Sequence, residues 1–151
     1  WADKSLSGTD KYADQLLADT QELVGKIPTV AITPTLLGNG ATELLQEVAT
    51  GKVTGEEERY SRTDLWDFQA NVDGAKRAFT ALGPVILAKD ADLHARITAR
   101  FEALEAELAT HARGEGFVLY DTLTQAQVRE LADKVDALAE PLSQVTAVVV
   151  R

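Results

Sequence analysis

The chain has 151 residues, 45% of them hydrophobic, which is enough apolar material for one domain with a real core. A formal charge of -9 argues against nucleic acid as a partner, because phosphate binding draws on clustered Lys and Arg, and an acidic surface attracts cations instead. The absence of cysteine removes disulfides and thiolate metal sites, and no apolar run approaches the roughly 20 residues that cross a bilayer.

Aromatic residues are few and Ala, Leu and Val dominate the apolar set, a composition suited to closely packed helices. A first helix is predicted over residues 9–26, with Tyr12, Leu16, Leu23 and Ile27 at helical spacing, Thr9 or Asp10 as its cap and Pro28 as its end. Thr33 followed by Pro34 opens a second helix reaching about residue 50, in which Gly38 and Gly40 either weaken the helix locally or let a neighbour pack closely, packing being the preferred reason. Thr54-Gly55-Glu56-Glu57 reads as a capping box opening a third helix to about Leu82, after which Gly83-Pro84 bends or breaks the chain. A fourth helix over about residues 91–112 carries Leu93, Ile97, Phe101, Leu104 and Leu108 on one face and ends at Gly114-Glu115-Gly116. Residues 117–120 read as extended or a turn. Thr124 with Gln127 forms a second capping box, for a last helix running to about Val149 and kinked at Pro141. The β-branched run 145–150 is assigned to that helix, because it continues the stripe of Leu131, Val135, Leu138 and Leu142. The expected fold is all-α, an up-and-down helical bundle forming one domain over residues 1–151.

The third helix is the unusual one. At about 100 degrees per residue, Leu65, Phe68, Val72, Ala75, Phe79 and Leu82 share a stripe wide enough to face a core. Extended backward, the stripe falls on Glu57, Ser61 and Asp64, with Asn71 at its margin, while Glu56, Glu58, Arg59, Arg62, Asp73 and Arg77 point elsewhere. A buried carboxylate costs several kcal/mol unless it is paired, hydrogen bonded, protonated or bound to a metal. For Glu57 the structural alternative is the capping box itself; for Asp64 it is a hydrogen bond to a buried Tyr or Trp, or a salt bridge to another helix. Bundles that hold metals do so with carboxylates projecting inward from several helices, so one helix supplies only part of such a site.

His94 and His111 are the only histidines, and on one helix they face directions about 100 degrees apart, so they are read as solvated surface residues and not as a ligand pair. No Ser-His-Asp set, phosphate-binding glycine loop or zinc-protease motif is present, so no catalytic residue is nominated.

The stretch 55–75, GEEERYSRTDLWDFQANVDGA, closely resembles the signature of the imelysin-like, EfeO-type family, the extracytoplasmic components of bacterial iron-uptake systems. The similarity continues through Lys11-Tyr12-Ala13-Asp14-Gln15-Leu16, Gly116-Phe117 with Tyr120-Asp121, and Leu138-Ala139-Glu140. The resemblance implies the C-terminal half of a double four-helix bundle. It also implies a non-enzymatic role, binding iron as Fe2+ or Fe3+, replaceable by Zn2+ or Cu2+, and delivering it to a membrane iron permease, with a haem peroxidase as companion. It makes Glu57 the carboxylate that this half contributes to the metal site and Tyr60, Ser61, Asp64 and Asn71 its polar surroundings, while Arg62 stands where a histidine is often found. The family's His-x-x-Glu motif would precede Trp1, so the chain is expected to be a C-terminal part that pairs with the N-terminal half of the same protein or associates with itself. The implied location is periplasmic or cell-surface, with a lipid anchor on the preceding segment. A metallopeptidase and a purely structural helical module are the alternatives.

Overall fold

The computed structural model describes residues 5–55 and 57–151, so the readings of Trp1 and Glu56 lie outside the described residues. The chain divides into two compact units, Trp1–Ile32 and Thr33–Arg151.

The first unit is built on helix α1, Asp10–Lys26, followed by a 3-10 turn over Ile27–Thr29 that holds Pro28. Thr9 occupies the cap position, but its hydroxyl donates to the Leu6 carbonyl at 2.6 Å instead of accepting from the first turn. A lone helix cannot bury its own stripe, and Tyr12, Leu16, Leu23 and Ile27 are all exposed.

The second unit is a four-helix bundle made of α2 (Pro34–Glu47), α3 (Asp64–Lys89), α4 (Ala91–Thr110) and α5 (Gln125–Leu142). Each helix packs on the next, and α5 returns to α2, closing the ring. A short helix, α6 (Val145–Val149), packs on α2 and α3. Leu45, Phe68, Phe101, Leu104, Leu131 and Leu138 are fully buried at the centre, and the five apolar residues expected on the fourth helix are all in the core. The all-α bundle expected from composition is therefore what these residues form.

Two of the predicted caps are present, at Thr33 and at Thr124. The Thr33 side chain accepts from Leu36 N–H with Pro34 at the first position, and Thr124 and Gln127 make the reciprocal capping box. Gly38 is a packing glycine, because a Cβ there would come within 2.5 Å of Thr146 Oγ1; Gly40 faces open space, so its reading as a contact point was wrong.

Several boundaries moved. The second helix gives way to a π turn, Val48–Lys52. Gly83-Pro84 does not break the third helix, which continues to Lys89 because Leu82 and Ile86 extend the buried stripe across the proline while Pro84 itself lies on the exposed side. The break falls at Asp90, whose carboxylate accepts from Leu93 N–H at 2.8 Å and starts α4. After α4, Ala112–Arg113 (β1) and Gly116–Phe117 (β2) pair as a small antiparallel hairpin turning through Gly114 at φ +62. The last helix is two helices: α5 ends one residue beyond Pro141, and Val145–Val149 resumes as the helix that its apolar stripe indicated.

The histidines also differ from expectation. His111 is 3% exposed and lies 3.2 Å from Glu107 Oε1, one turn earlier on α4. His94 is half-buried, its ring 5.0 Å from that of Phe79. His94 packs on Phe79 and His111 is buried at the C-cap of α4, so neither is a solvated surface residue.

Candidate functional site

The largest departure from the sequence reading is at Thr54. No helix starts there: residues 53–55 and 57–61 are turns, and α3 begins at Asp64. The physical reason lies in the same stripe that made the segment notable. A helix through residues 54–63 would gain no apolar burial, since its one large apolar side chain, Tyr60, is 95% exposed, and it would carry Glu57 and Ser61 into the core. The chain unwinds instead, leaving Glu57 and Ser61 exposed and only Asp64 buried, at 0% exposure. The capping box is replaced by the Thr54 hydroxyl donating to the Gly51 carbonyl at 2.7 Å.

Two left-handed residues shape this loop, Gly55 at φ +68 and Arg62 at φ +62. Gly55 is required twice over, by its φ and because a Cβ would sit 2.6 Å from the Tyr120 ring. Arg62, expected on the outer face of a helix, is half-buried in the loop, and its N–H donates to the Glu58 carbonyl at 2.7 Å.

Asp64 anchors the loop from below. Its Oδ1 accepts the Glu58 N–H at 3.1 Å, so its partner is backbone, and not the buried Tyr, Trp or neighbouring-helix cation weighed from sequence. As the first residue of α3 it also lies where the helix dipole favours negative charge. Its Oδ2 is fully buried with no hydrogen-bond partner among the described residues. Above it, Tyr120 donates its phenolic hydrogen to the Val53 carbonyl at 2.5 Å, and its N–H donates to the Arg62 carbonyl at 2.9 Å. Burial, and then the Asp64 carboxylate, push the Tyr120 phenol up to about 12. The phenol therefore remains a donor throughout the neutral range.

The remaining polar residues divide. The Ser61 hydroxyl donates to the Glu58 carboxylate, and the Thr63 hydroxyl donates to Ser61 Oγ at 3.0 Å. The Glu57 side chain lies over the π turn, where a Cβ on Gly51 would approach its Oε2 to 3.3 Å. Asn71 stands two turns along α3, about 10 Å from Asp64 by helical rise, and its amide donates to the Leu44 carbonyl of α2 at 3.3 Å. Glu57, Tyr60 and Ser61 thus share one loop with Asp64 at its junction with α3, while Asn71 belongs to the α2–α3 contact. Sequence reading missed Tyr120 and the Val53 carbonyl, which meet across 67 residues; the one local sign was Gly55, read as part of a cap and in fact the seat of the Tyr120 ring.

Trp66, on the first turn of α3, holds the hairpin against this loop. Its ring meets Phe117 edge-on at 5.5 Å, and Gly116 lies so close that a Cβ would come within 2.5 Å of the indole.

A family model described as imelysin, peptidase M75, matches residues 1–145. The chain belongs to the imelysin family. Relatives named "Iron uptake system component EfeO" are 42% identical over 148 residues in Yersinia pseudotuberculosis serotype I, covering 98% of this chain and 40% of the relative. The corresponding protein of Yersinia pestis is 42% identical over 98% of this chain and 39% of its own length, and that of Escherichia coli O1:K1 is 41% identical over 98% and 40%. The chain spans about two fifths of the length of these curated relatives. In this imelysin chain, no group of three or more His, Asp or Glu side chains converges to hold a metal ion among the described residues.

Proposed function

We propose that this chain is part of an extracytoplasmic iron-binding protein and supplies one wall of its iron site, with Glu57 as the ligand carboxylate. Tyr60, Ser61 and Asp64 form the polar surroundings on the same loop, and Asn71 supports that wall through α2. The observation that carries the reading is the 42% identity, across 98% of the chain, to proteins named for iron uptake. The geometry is compatible with it: an exposed carboxylate stands on a loop fixed by a buried Asp, and carboxylate and hydroxyl oxygens suit Fe2+ or Fe3+ as cargo. Zn2+ and Cu2+ would compete for the same donors, and the other ligands come from outside this loop. The iron is handed on to a membrane permease, with a haem peroxidase as a companion component.

The test is iron titration of the full natural protein and its Glu57→Gln variant. A loss of affinity of about tenfold or more is expected for removal of one charged ligand. An unchanged titration removes Glu57 from the site. The family's peptidase description favours a second reading, metal-dependent peptide hydrolysis, which requires a metal-bound water and a general base. Peptide-hydrolysis assays with and without added metal separate the two.

A further inference from the structure

We propose that Tyr120 is the positioning residue of the Glu57 loop, holding the carboxylate in place for its cation from the connection between α4 and α5. This inference rests on the reading of Glu57 as a ligand.

Among the described residues, Tyr120 supplies two of the bonds that tie the stretch 53–63 to the rest of the fold. Its hydroxyl takes the Val53 carbonyl at the start of the loop and its N–H takes the Arg62 carbonyl at the end, so one residue staples both ends. Another is Asp64 Oδ1 on the Glu58 N–H, one residue after Glu57, beside the local bonds of Val53 N–H to the Val48 carbonyl and of the Thr54 hydroxyl to the Gly51 carbonyl. The Tyr120 ring, only 7% exposed, fills the space over Gly55 that no other residue at that position would leave. Glu57 lies between the staple points. The described residues of the segment carry little buried apolar surface, since Glu57, Arg59, Tyr60 and Ser61 are all exposed, so hydrogen bonds weigh heavily in its conformation. A ligand held on such a loop binds with less ordering cost when the loop is fixed beforehand.

Tyr120 is in turn seated by the hairpin side of the fold. It opens a 3-10 turn, Tyr120–Thr122, three residues beyond Phe117, whose ring rests on Trp66. The loop is thereby fixed between the start of α3 and the segment that follows the hairpin.

The experiment is a double-mutant cycle in the full natural protein, using iron titration of wild type, Tyr120→Phe, Glu57→Gln and the double variant. Phe keeps the ring and removes only the hydroxyl. We expect Tyr120→Phe to weaken binding about tenfold, the equivalent of one lost hydrogen bond, and to add nothing on the Glu57→Gln background. Amide exchange at Glu58 and Arg62, measured without metal, should accelerate about tenfold, which tests the staple independently of iron. If Tyr120→Phe does not fold, Gly55→Ala displaces the ring and carries the same expectation. Additive losses in the cycle, or unchanged affinity in Tyr120→Phe while Glu57→Gln is weak, overturn the role of Tyr120 and leave Glu57 standing. Unchanged affinity in Glu57→Gln overturns the ligand reading and this inference with it.

Discussion

Tyr120 and Val53 are joined by a 2.5 Å hydrogen bond that closes a span of 67 residues, and the donor is a phenol whose proton is held well beyond its usual range. The consequence is an alkaline signature. Below about pH 10 the phenol is protonated whether the chain is folded or unfolded, and it adds no slope to stability. Between about pH 10 and about pH 12 the unfolded chain releases the proton while the folded chain keeps it, so stability falls as pH rises, by about 2–3 kcal/mol in all. Urea unfolding across that window should show this fall in the wild type and its absence in Tyr120→Phe. Parallel curves for the two proteins would mean that the phenol is not held as described.

The fold was legible wherever apolar spacing and capping chemistry agreed. Leu93, Ile97, Phe101, Leu104 and Leu108 define α4 by spacing alone, and Thr124 with Gln127 starts α5. The site was legible only as an anomaly. Polar residues on a core stripe marked the right segment, but helical arithmetic assumes a helix, and the chain resolved the conflict by unwinding up to Asp64. Gly55, two residues after Val53, marks a close approach but does not say that a phenol from residue 120 makes it, because that pairing is set by tertiary packing. Local pattern and structure part company at this loop, as expected where a functional segment departs from the rules of its scaffold.

Asp64 gives a second prediction. Its Oδ1 is used by Glu58 N–H and its Oδ2 is buried without a partner among the described residues. Asp64→Asn keeps an acceptor for Glu58 and removes a buried charge, so in metal-free protein it should be as stable as the wild type or more so, by up to about 2 kcal/mol. Asp64→Ala strands the Glu58 N–H and should cost about 1–3 kcal/mol. Denaturant midpoints of the two variants decide this; equal destabilisation by both would show that the second oxygen is satisfied in solution.

Two glycines of α2 make a matched pair. A Cβ at Gly40 meets nothing within 4 Å, so Gly40→Ala should stabilise by about 0.5–1 kcal/mol through helix propensity. At Gly38 the same change forces a Cβ to within 2.5 Å of Thr146 Oγ1, the hydroxyl that donates to Asn39 Oδ1 at 2.8 Å. Gly38→Ala should therefore destabilise by about 1–3 kcal/mol, and Thr146→Ala should recover part of that loss. Thermal melts in which both glycine variants shift the same way would contradict the α2–α6 contact.

Pro84 offers the last test, because α3 passes through it without ending. The proline removes a backbone donor inside a 26-residue helix, and its ring crowds the preceding turn, yet Leu82 and Ile86 on either side are buried in the core. Packing of that stripe outweighs the local cost. Pro84 itself contributes an exposed side chain, so replacing it forfeits little burial. Pro84→Ala should restore the hydrogen bond to the Thr80 carbonyl and raise stability by about 1–3 kcal/mol, seen as a higher denaturant midpoint with an unchanged slope. A neutral or destabilising result would mean that the proline bend itself is needed to seat Ile86, and that the sequence signal at Gly83-Pro84 marks a bend built into the helix.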